Sequence, residues 1–386
     1  MQSFLFYNPT KLYFGKNQIE HLVPELQNFG MTVLLVYGGG SVKRTGLYDE
    51  IKSCLIRAHM RIFELSGIEP NPKLETIQEG IDLCKKEKID VVLAVGGGSC
   101  IDAAKLICVA AKFDGDPWQI VMQKVEPKEA LPLGVILTIA ATGSEMNGTS
   151  VISRRNTKEK YSWSHILAYP KFSILDPTYT ITVPKDQTVY GIVDMMTHIM
   201  EQYFHRTPHT PILDRMCEGL LQTIIETAPK VVKNLEDYQA RETLMYAGTL
   251  ALNRSLSTGA DGDWAAHGIE HALSAYYDIP HGGGLAIIYP QWMKHVASFH
   301  PKRFSQFATR VFQIDSNHKT TEEVIHAGIE ALQHFWCLLG APSRLSDYKI
   351  DDTSIEKLVA HAMKRPLGKI NLLTAKDIRQ ILLSSL

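Results

Sequence analysis

The chain has 386 residues, of which 45% are apolar and 21% charged, with a formal net charge of −1. This length exceeds one ordinary compact core and predicts two domains, and the composition excludes a disordered chain. Near-neutrality without any block of like charge argues against nucleic acid or an anionic membrane surface as partner. No run approaches the roughly 18 uninterrupted apolar residues of a membrane span. The opening M-Q-S-F-L-F-Y-N-P-T lacks the basic start and apolar run of a secretion signal, so a mature, unprocessed N-terminus is expected. Cys54, Cys84, Cys100, Cys108, Cys217 and Cys337 never fall at a zinc spacing. Several lie in apolar helix-like stretches, which predicts reduced thiols and a cytoplasmic home.

In chain order, Thr32 to Tyr37 reads as a buried strand ending in Gly38-Gly39-Gly40, followed by a helix-like stretch from about Val42 to His59. Arg61 to Glu64 reads as a short strand and Leu74 to Glu87 as a helix. Asp90 to Val95 is a second buried strand, followed by Gly96-Gly97-Gly98-Ser99 and a helix through Lys112. Leu133 to Thr138 is a further strand, and Ser150 to Ser153 with Lys160 to Trp163 form a pair around Asn156-Thr157. Continuous apolar runs alternating with helices predict a parallel sheet covered on both faces. From about Lys185 the pattern turns helical: Gln187 to Phe204, Ile212 to Leu235, Tyr238 to Asn253, His267 to Tyr276, and more beyond Thr321. The pattern therefore divides the chain near residue 185, into an α/β N-terminal domain over residues 1–184 and an all-α C-terminal domain over residues 185–386.

Glycines after a buried strand let a backbone approach a phosphate, and the next helix offers free N–H groups and a positive dipole end. Two such runs point to a nucleotide, although each also suits a plain tight turn. Neither matches G-x-G-x-x-G, the ordinary dinucleotide fingerprint. No acidic residue stands at Gly38, Gly39 or Gly40, while Ser41, Lys43 and Arg44 lie close by. A carboxylate there would repel a 2′-phosphate, so NADP(H) is expected in preference to NAD(H), unless Lys43 and Arg44 are an ordinary solvated helix start.

Two pairs in the helical half share a four-residue spacing, Asp194 with His198 and His267 with His271, which places each pair on one helix face. His281 follows, with Gly282-Gly283-Gly284 read as a sharp glycine-rich turn. One carboxylate and two or three imidazoles can hold a divalent transition metal with positions left open. A lone histidine on an apolar helix is more often simply packed, and the ungrouped histidines are taken as structural.

These segments resemble the iron-containing (group III) alcohol dehydrogenases over essentially the full length, within them the butanol dehydrogenase and broad aldehyde reductase subgroup. The matching text is N-P-T-K-L-Y-F-G-K, V-Y-G-G-G-S-V-K-R-T-G, E-P-N-P, A-V-G-G-G-S-C-I-D-A-A-K, A-T-G-S-E-M-N, D-M-M-T-H-I-M-E-Q-Y-F and G-D-W-A-A-H-G-I-E-H-A-L-S-A-Y-Y-D-I-P-H-G-G-G-L-A-I. The resemblance implies an α/β N-terminal dinucleotide-binding domain and an all-α C-terminal metal-binding domain with the active site in the cleft between them, metal ligation by Asp194, His198, His267 and His281, and His271 as a proton relay. It places the cofactor on Gly97, Gly98, Ser99 and Asp102, along Thr138, Thr142 and Asn147, and near Lys160 and Asn71 of the E-P-N-P segment. Gly38, Gly40 and Ser41 match the adenosine-ribose end. Ala141 stands where many members carry glycine, and the usual NAD-selecting aspartate near position 39 is missing.

The implied reaction is hydride transfer between NAD(P)(H) and short-chain primary alcohols or aldehydes, with Fe(II) the first choice of metal and Zn(II) the second. His267 and His271 are the candidate catalytic side chains. The expected partner is a small alcohol or aldehyde, with neither nucleic acid nor membrane, and the expected assembly is a homodimer. Two other readings share these features. A zinc-dependent polyol dehydrogenase would prefer glycerol to butanol, and a non-catalytic nucleotide- or metal-binding protein would bind NADP without consuming aldehyde.

Overall fold

The computed structural model describes residues 1–386. Its strands are β1 (Lys11–Phe14), β2 (Thr32–Gly38), β3 (Arg61–Ile68), β4 (Val91–Gly96), β5 (Leu133–Leu137), β6 (Thr149–Arg154), β7 (Glu159–Ser164) and β8 (Phe172–Leu175). Six of them form one parallel sheet in the order β1-β8-β5-β4-β2-β3, while β6 and β7 make an antiparallel hairpin. Val33–Tyr37 pair with Val91–Val95 at its centre. Because side chains alternate along a strand, Leu34, Val36, Val92 and Ala94 enter one core and Val33, Leu35, Val91 and Leu93 the other. The first core is covered by α4 (Leu74–Glu87) and α5 (Gly98–Ala110), and the second by α1 (Leu22–Gln27) and α3 (Leu47–Arg57).

The order of strands fixes where a ligand can sit. The chain runs from β2 outward to β3, returns past β2 to β4, and then continues the other way to β5. Neighbouring strands β2 and β4 therefore bracket the point where the winding reverses, the usual binding crevice at the carboxyl ends of such sheets. Both glycine runs lie at those two ends.

Several boundaries differ from the sequence expectation. Gly46, at φ 80, splits the expected helix into α2 (Ser41–Arg44) and α3. Strand β3 runs on to Ile68, and the four-residue strands β1 and β8 escape the pattern altogether. A short α6 (Trp118–Val121) precedes β5.

The helices that follow are α7 (Lys185–Tyr203), α8 (Pro211–Lys233), α9 (Tyr238–Leu252), α10 (Ala265–Tyr277), α11 (His281–Val296), α12 (Pro301–Val311), α13 (Thr321–Leu339), α14 (Ile355–Ala362) and α15 (Ala375–Leu383). The chain forms two compact units, and relative to a single cut at 184/185 two segments change sides besides Pro184 itself. Leu235–Thr249 groups with Tyr7–Val183, and Met1–Phe6 groups with Pro184–Asn234 and Leu250–Leu386. The first exchange has a visible cause. Thr249 donates to the buried Glu145 carboxylate at 2.6 Å, Arg241 donates to the Val183 carbonyl, and Met245 sits in the sheet's core.

In the helical unit, Phe204 stacks on Phe304 with centroids 4.3 Å apart and meets Trp292 edge-on. Helix α7 is buried continuously from Gly191 to Tyr203, so any polar side chain it carries there faces protein. All six cysteines are unpaired thiols, and no helix is long and apolar enough to cross a membrane.

Candidate metal centre and cofactor turns

Helix α7 presents Asp194 and His198 one turn apart, α10 presents His267, and His281 is the first residue of α11. Asp194 Oδ1 lies 3.6 Å from His198 Nε2 and 3.7 Å from His281 Nε2. One ligand atom from each of Asp194, His267 and His281 falls within 4.8 Å of the others. The rings of His198 and His267 stack with centroids 4.9 Å apart. The four side chains expected to hold a metal thus meet at one place.

Gly282, Gly283 and Gly284 are helical and form no turn, which corrects the sequence reading. Their smallness serves close approach instead. A Cβ would stand 2.1 Å from the Tyr190 carbonyl at Gly282, 2.0 Å from the Tyr348 hydroxyl at Gly283, and 2.8 Å from Glu270 at Gly284. Glycine here lets α11 press onto α7 and brings His281 to Asp194.

Two carboxylates missed in the sequence set the protonation of this cluster. Glu201 is fully buried and receives His267 Nδ1 at 2.9 Å, the His267 N–H at 3.2 Å and the Trp264 N–H at 2.7 Å. Glu270, equally buried, receives His281 Nδ1 and the Ser274 hydroxyl. A carboxylate can only accept, so each Nδ1 carries a proton and Nε2 is the nitrogen that the neutral ring offers to a metal. His267 Nε2 and His198 Nδ1 are buried without a hydrogen-bond partner. Burial, and then the nearby His267 and His281, hold His198 far below the ordinary histidine range, so it is neutral. An unpartnered buried Nε2 on His267, beside the neutral His198 and the Asp194 carboxylate, fits the donor set of a divalent transition metal. His271 is half-buried, with a ring nitrogen within 4.8 Å of Glu270 and His281 ligand atoms.

At the sheet's carboxyl end, Gly97 and Gly98 pack where no side chain fits. A Cβ would lie 2.1 Å from Ile139 Cγ2 at Gly97 and 2.4 Å from Thr142 Cγ2 at Gly98. Thr138 follows β5, its N–H donated to the Gly96 carbonyl at 3.0 Å. Gly38 approaches the Ile68 carbonyl, Gly40 takes φ 107, and Ser41, exposed, opens α2. Ser99 is the one residue of α5 that is not buried.

The other expected cofactor residues face inward. Asp102 accepts from Ser144 Oγ at 2.6 Å and the Val151 N–H at 2.8 Å, and burial pushes its carboxyl up. Asn147 donates to the Gly143 carbonyl and accepts from Lys105. Lys160 is buried with Nζ on Asn71 Oδ1 at 2.8 Å. The hub of this interior is Lys105, unnoticed in the sequence and fully excluded from solvent. Its ammonium donates to Ser144 Oγ at 2.7 Å, Asn147 Oδ1 at 3.0 Å and the Thr149 carbonyl at 2.7 Å, tying the turn after β5 to α5.

This architecture, a wound parallel sheet with glycine turns and a helical unit holding one carboxylate among three histidines, is that of a recognised enzyme family. Residues 9–177 match the family described as iron-containing alcohol dehydrogenase, and residues 188–386 match the Fe-containing alcohol dehydrogenase family, C-terminal. The chain belongs to the iron-containing alcohol dehydrogenases. Within that family it is similar to the probable NADH-dependent butanol dehydrogenase 1 of Bacillus subtilis (strain 168), 54% identical over all of both chains. It is also 39% identical to the NADPH-dependent aldehyde reductase YqhD of Escherichia coli (strain K12), across 99% of each chain. The solved NADH-dependent butanol dehydrogenase A of Thermotoga maritima superposes with a TM-score of 0.96 at 41% identity, covering 100% of this chain and 99% of that one.

Proposed function

We propose that the protein is a metal-dependent alcohol dehydrogenase and aldehyde reductase that moves hydride between NAD(P)(H) and short-chain primary alcohols or aldehydes of the butanol type. The observation that carries this reading is the convergence of Asp194, His198, His267 and His281, with His267 Nε2 buried and without a hydrogen-bond partner, in a chain whose relatives are named for alcohols and aldehydes. Those four side chains would hold the metal, with Fe(II) preferred and Zn(II) next. A divalent cation there supplies Lewis acidity to the substrate oxygen, while the nicotinamide carries the hydride.

The chain's own groups do the rest. Glu201 and Glu270 orient His267 and His281 through Nδ1. His271 holds or passes the substrate proton at a ring nitrogen, since an imidazole titrates near neutral pH. Gly97, Gly98 and Ser99 would receive the pyrophosphate at the start of α5, and Gly38, Gly40 and Ser41 the adenosine ribose. The unit containing Tyr7–Val183 is thus the nucleotide domain, and the unit of α7, α8 and α10–α15 the metal domain.

The preference for NADP(H) rests on open space at Gly39 and on Lys43 and Arg44 close by. The B. subtilis relatives are named NADH-dependent and the E. coli relative NADPH-dependent, so this preference is a point for measurement. Unpaired buried thiols support a cytoplasmic setting. The run Phe4, Leu5, Phe6 and Tyr7, between 49% and 91% exposed, supports a homodimer.

The test is a metal-reconstituted assay over an aldehyde panel with NADPH and NADH in parallel. Aldehyde-dependent loss of the reduced cofactor's absorbance is expected, and its absence with every aldehyde and metal would refute the function. Activity on glycerol above that on butanol would instead favour the polyol reading.

A further inference from the structure

Trp264 immediately precedes α10 and takes a left-handed backbone, φ 61. A bulky side chain in that region is an outlier that persists only where its surroundings compel it. The surroundings here do compel it. Glu201 Oε2 accepts the Trp264 N–H at 2.7 Å, and Asp263 Oδ1 accepts the next N–H, of Ala265, at 3.1 Å. Gly262 closes one side of the ring, since a Cβ there would stand 3.0 Å from the indole Nε1 and 2.5 Å from the Glu201 carbonyl.

Helix capping gives no reason for tryptophan. Cap positions favour Ser, Thr, Asn, Asp or Gly, and the Trp264 side chain makes no capping hydrogen bond. Core packing gives no reason either, because Trp264 is 36% exposed whereas Trp292 and Trp336 are buried. What the strain achieves is placement. The indole centroid lies 5.4 Å from that of His267 and 6.2 Å from that of His198, two of the four expected metal ligands.

We propose that Trp264 is the specificity-determining wall of the substrate site, an apolar face that favours unbranched alkyl chains over branched, aromatic or polyhydroxylated ones. The inference rests on the functional reading above. A substrate whose oxygen reaches a cation held by these histidines brings its first carbons alongside the indole. An alkyl chain gains contact there. Branching next to the reacting carbon meets a ring held by Gly262 and the Glu201 clamp, and added hydroxyls lose their water against an aromatic face without finding a hydrogen-bond partner.

The experiment compares metal-reconstituted wild type, Trp264→Ala and Trp264→Phe on butanal, 2-methylbutanal, benzaldehyde and glyceraldehyde, with metal content measured for each. In Trp264→Ala the ratio of kcat/KM for 2-methylbutanal or benzaldehyde to that for butanal should rise at least about tenfold, the scale by which a pocket wall discriminates. Trp264→Phe, which keeps a ring, should move it less than about threefold, and both variants should keep their metal. Ratios equal to wild type in metal-loaded variants overturn the proposal, as does loss of metal with unchanged ratios, which would make Trp264 a mere support for His267.

A second readout is independent of turnover and of the alanine variant's folding. The tryptophan emission of wild type minus that of Trp264→Phe isolates Trp264, and Co(II) addition should quench this difference signal. A difference signal indifferent to Co(II), in protein that binds the metal, also overturns the proposal. A wild type that consumes none of the aldehydes refutes the functional reading itself, whereas an active wild type with an unmoved ratio refutes only the role of Trp264.

Discussion

Replacing Glu201 by glutamine tests whether the buried carboxylate is part of the metal centre or only part of the fold. Glutamine has the same shape but one acceptor where glutamate has two. If its oxygen stays on the His267 side, it still receives the His267 N–H and Nδ1–H, and its NH2 then faces the Trp264 N–H across the 2.7 Å now spanned by a hydrogen bond. If it flips, two bonds are lost instead of one, so the first orientation wins. The orphaned buried donor costs roughly 1–3 kcal/mol. Part of this is offset because Asp263, whose carboxyl burial and then the Glu201 charge push up to about 6, loses a like-charged neighbour. Loss of the carboxylate's charge also makes His267 Nε2 a weaker donor to a metal, an effect typically worth 10–100-fold in affinity, about 1.4–2.7 kcal/mol. Zn(II) titration against a chromophoric chelator measures the second effect, and thermal unfolding of the metal-free protein measures the first. A metal affinity within about twofold of wild type, alongside the expected loss of stability, would refute the claim that Glu201 tunes the metal ligand.

Four further outcomes follow from other contacts. His267→Ala should lose metal while His271→Ala keeps it and slows turnover, as elemental analysis with steady-state kinetics will show; full metal content in His267→Ala would disprove the ligand set. Lys105→Met removes three donors from the buried turn and leaves the Asp102 carboxyl without its nearby cation, so denaturation should report a loss of about 3 kcal/mol or more. Gly98→Ala places a methyl 2.4 Å from Thr142, so the KM for the cofactor should rise roughly tenfold or more, and adding Thr142→Ala should recover part of the loss. His205 is buried beside Arg303, and burial first, then that cation, lowers its pKa to about 4 from 6.5. Its folded pKa lies below its unfolded one, so its contribution to stability is complete above pH 6.5 and is lost as pH falls toward 4, by up to about 3 kcal/mol. A His205→Gln variant should flatten the acid slope of the melting temperature across that window, and an unchanged slope would place the titration elsewhere.

The sheet's centre was legible because β2 and β4 are continuous apolar runs followed by glycines, and α4 because its apolar positions repeat with helical spacing across Leu74–Glu87. Strands β1 and β8 were not, for four residues are too few to show a period, and their pairing joins Lys11 to Phe172, far apart in sequence. The break at Gly46 was missed since an isolated glycine is tolerated in helices, and only its positive φ marks the end of one. Helix α9 was recognised as a helix, yet its periodicity could not say which core it would join. That depends on the buried Thr249–Glu145 contact. His281 lies beside Asp194 but begins a helix instead of a turn, because three glycines suit a turn and a close helix crossing equally well until the partner helix is seen.

The site divides the same way, and the division has one physical origin. Spacing of four along a helix reveals a pair such as Asp194 and His198, since it puts both on one face. It does not reveal what an imidazole needs in order to be a ligand, namely a partner that fixes the proton on its other nitrogen. Glu201 and Glu270 meet that need, and each has an ordinary-looking neighbourhood by charge count. Their distinguishing mark is different. Each sits in a helical run with few other charged members, H-I-M-E-Q-Y and H-G-I-E-H-A, and so does Lys105 in D-A-A-K-L-I. A charge in such a run cannot reach water from that face, so it must find its counterpart inside the protein. For Lys105 the counterpart is a set of acceptors that ties the turn after β5 to α5. For the two glutamates it is an imidazole N–H, and the nitrogen left on the far side of each ring is what would let four residues scattered in sequence hold a metal together.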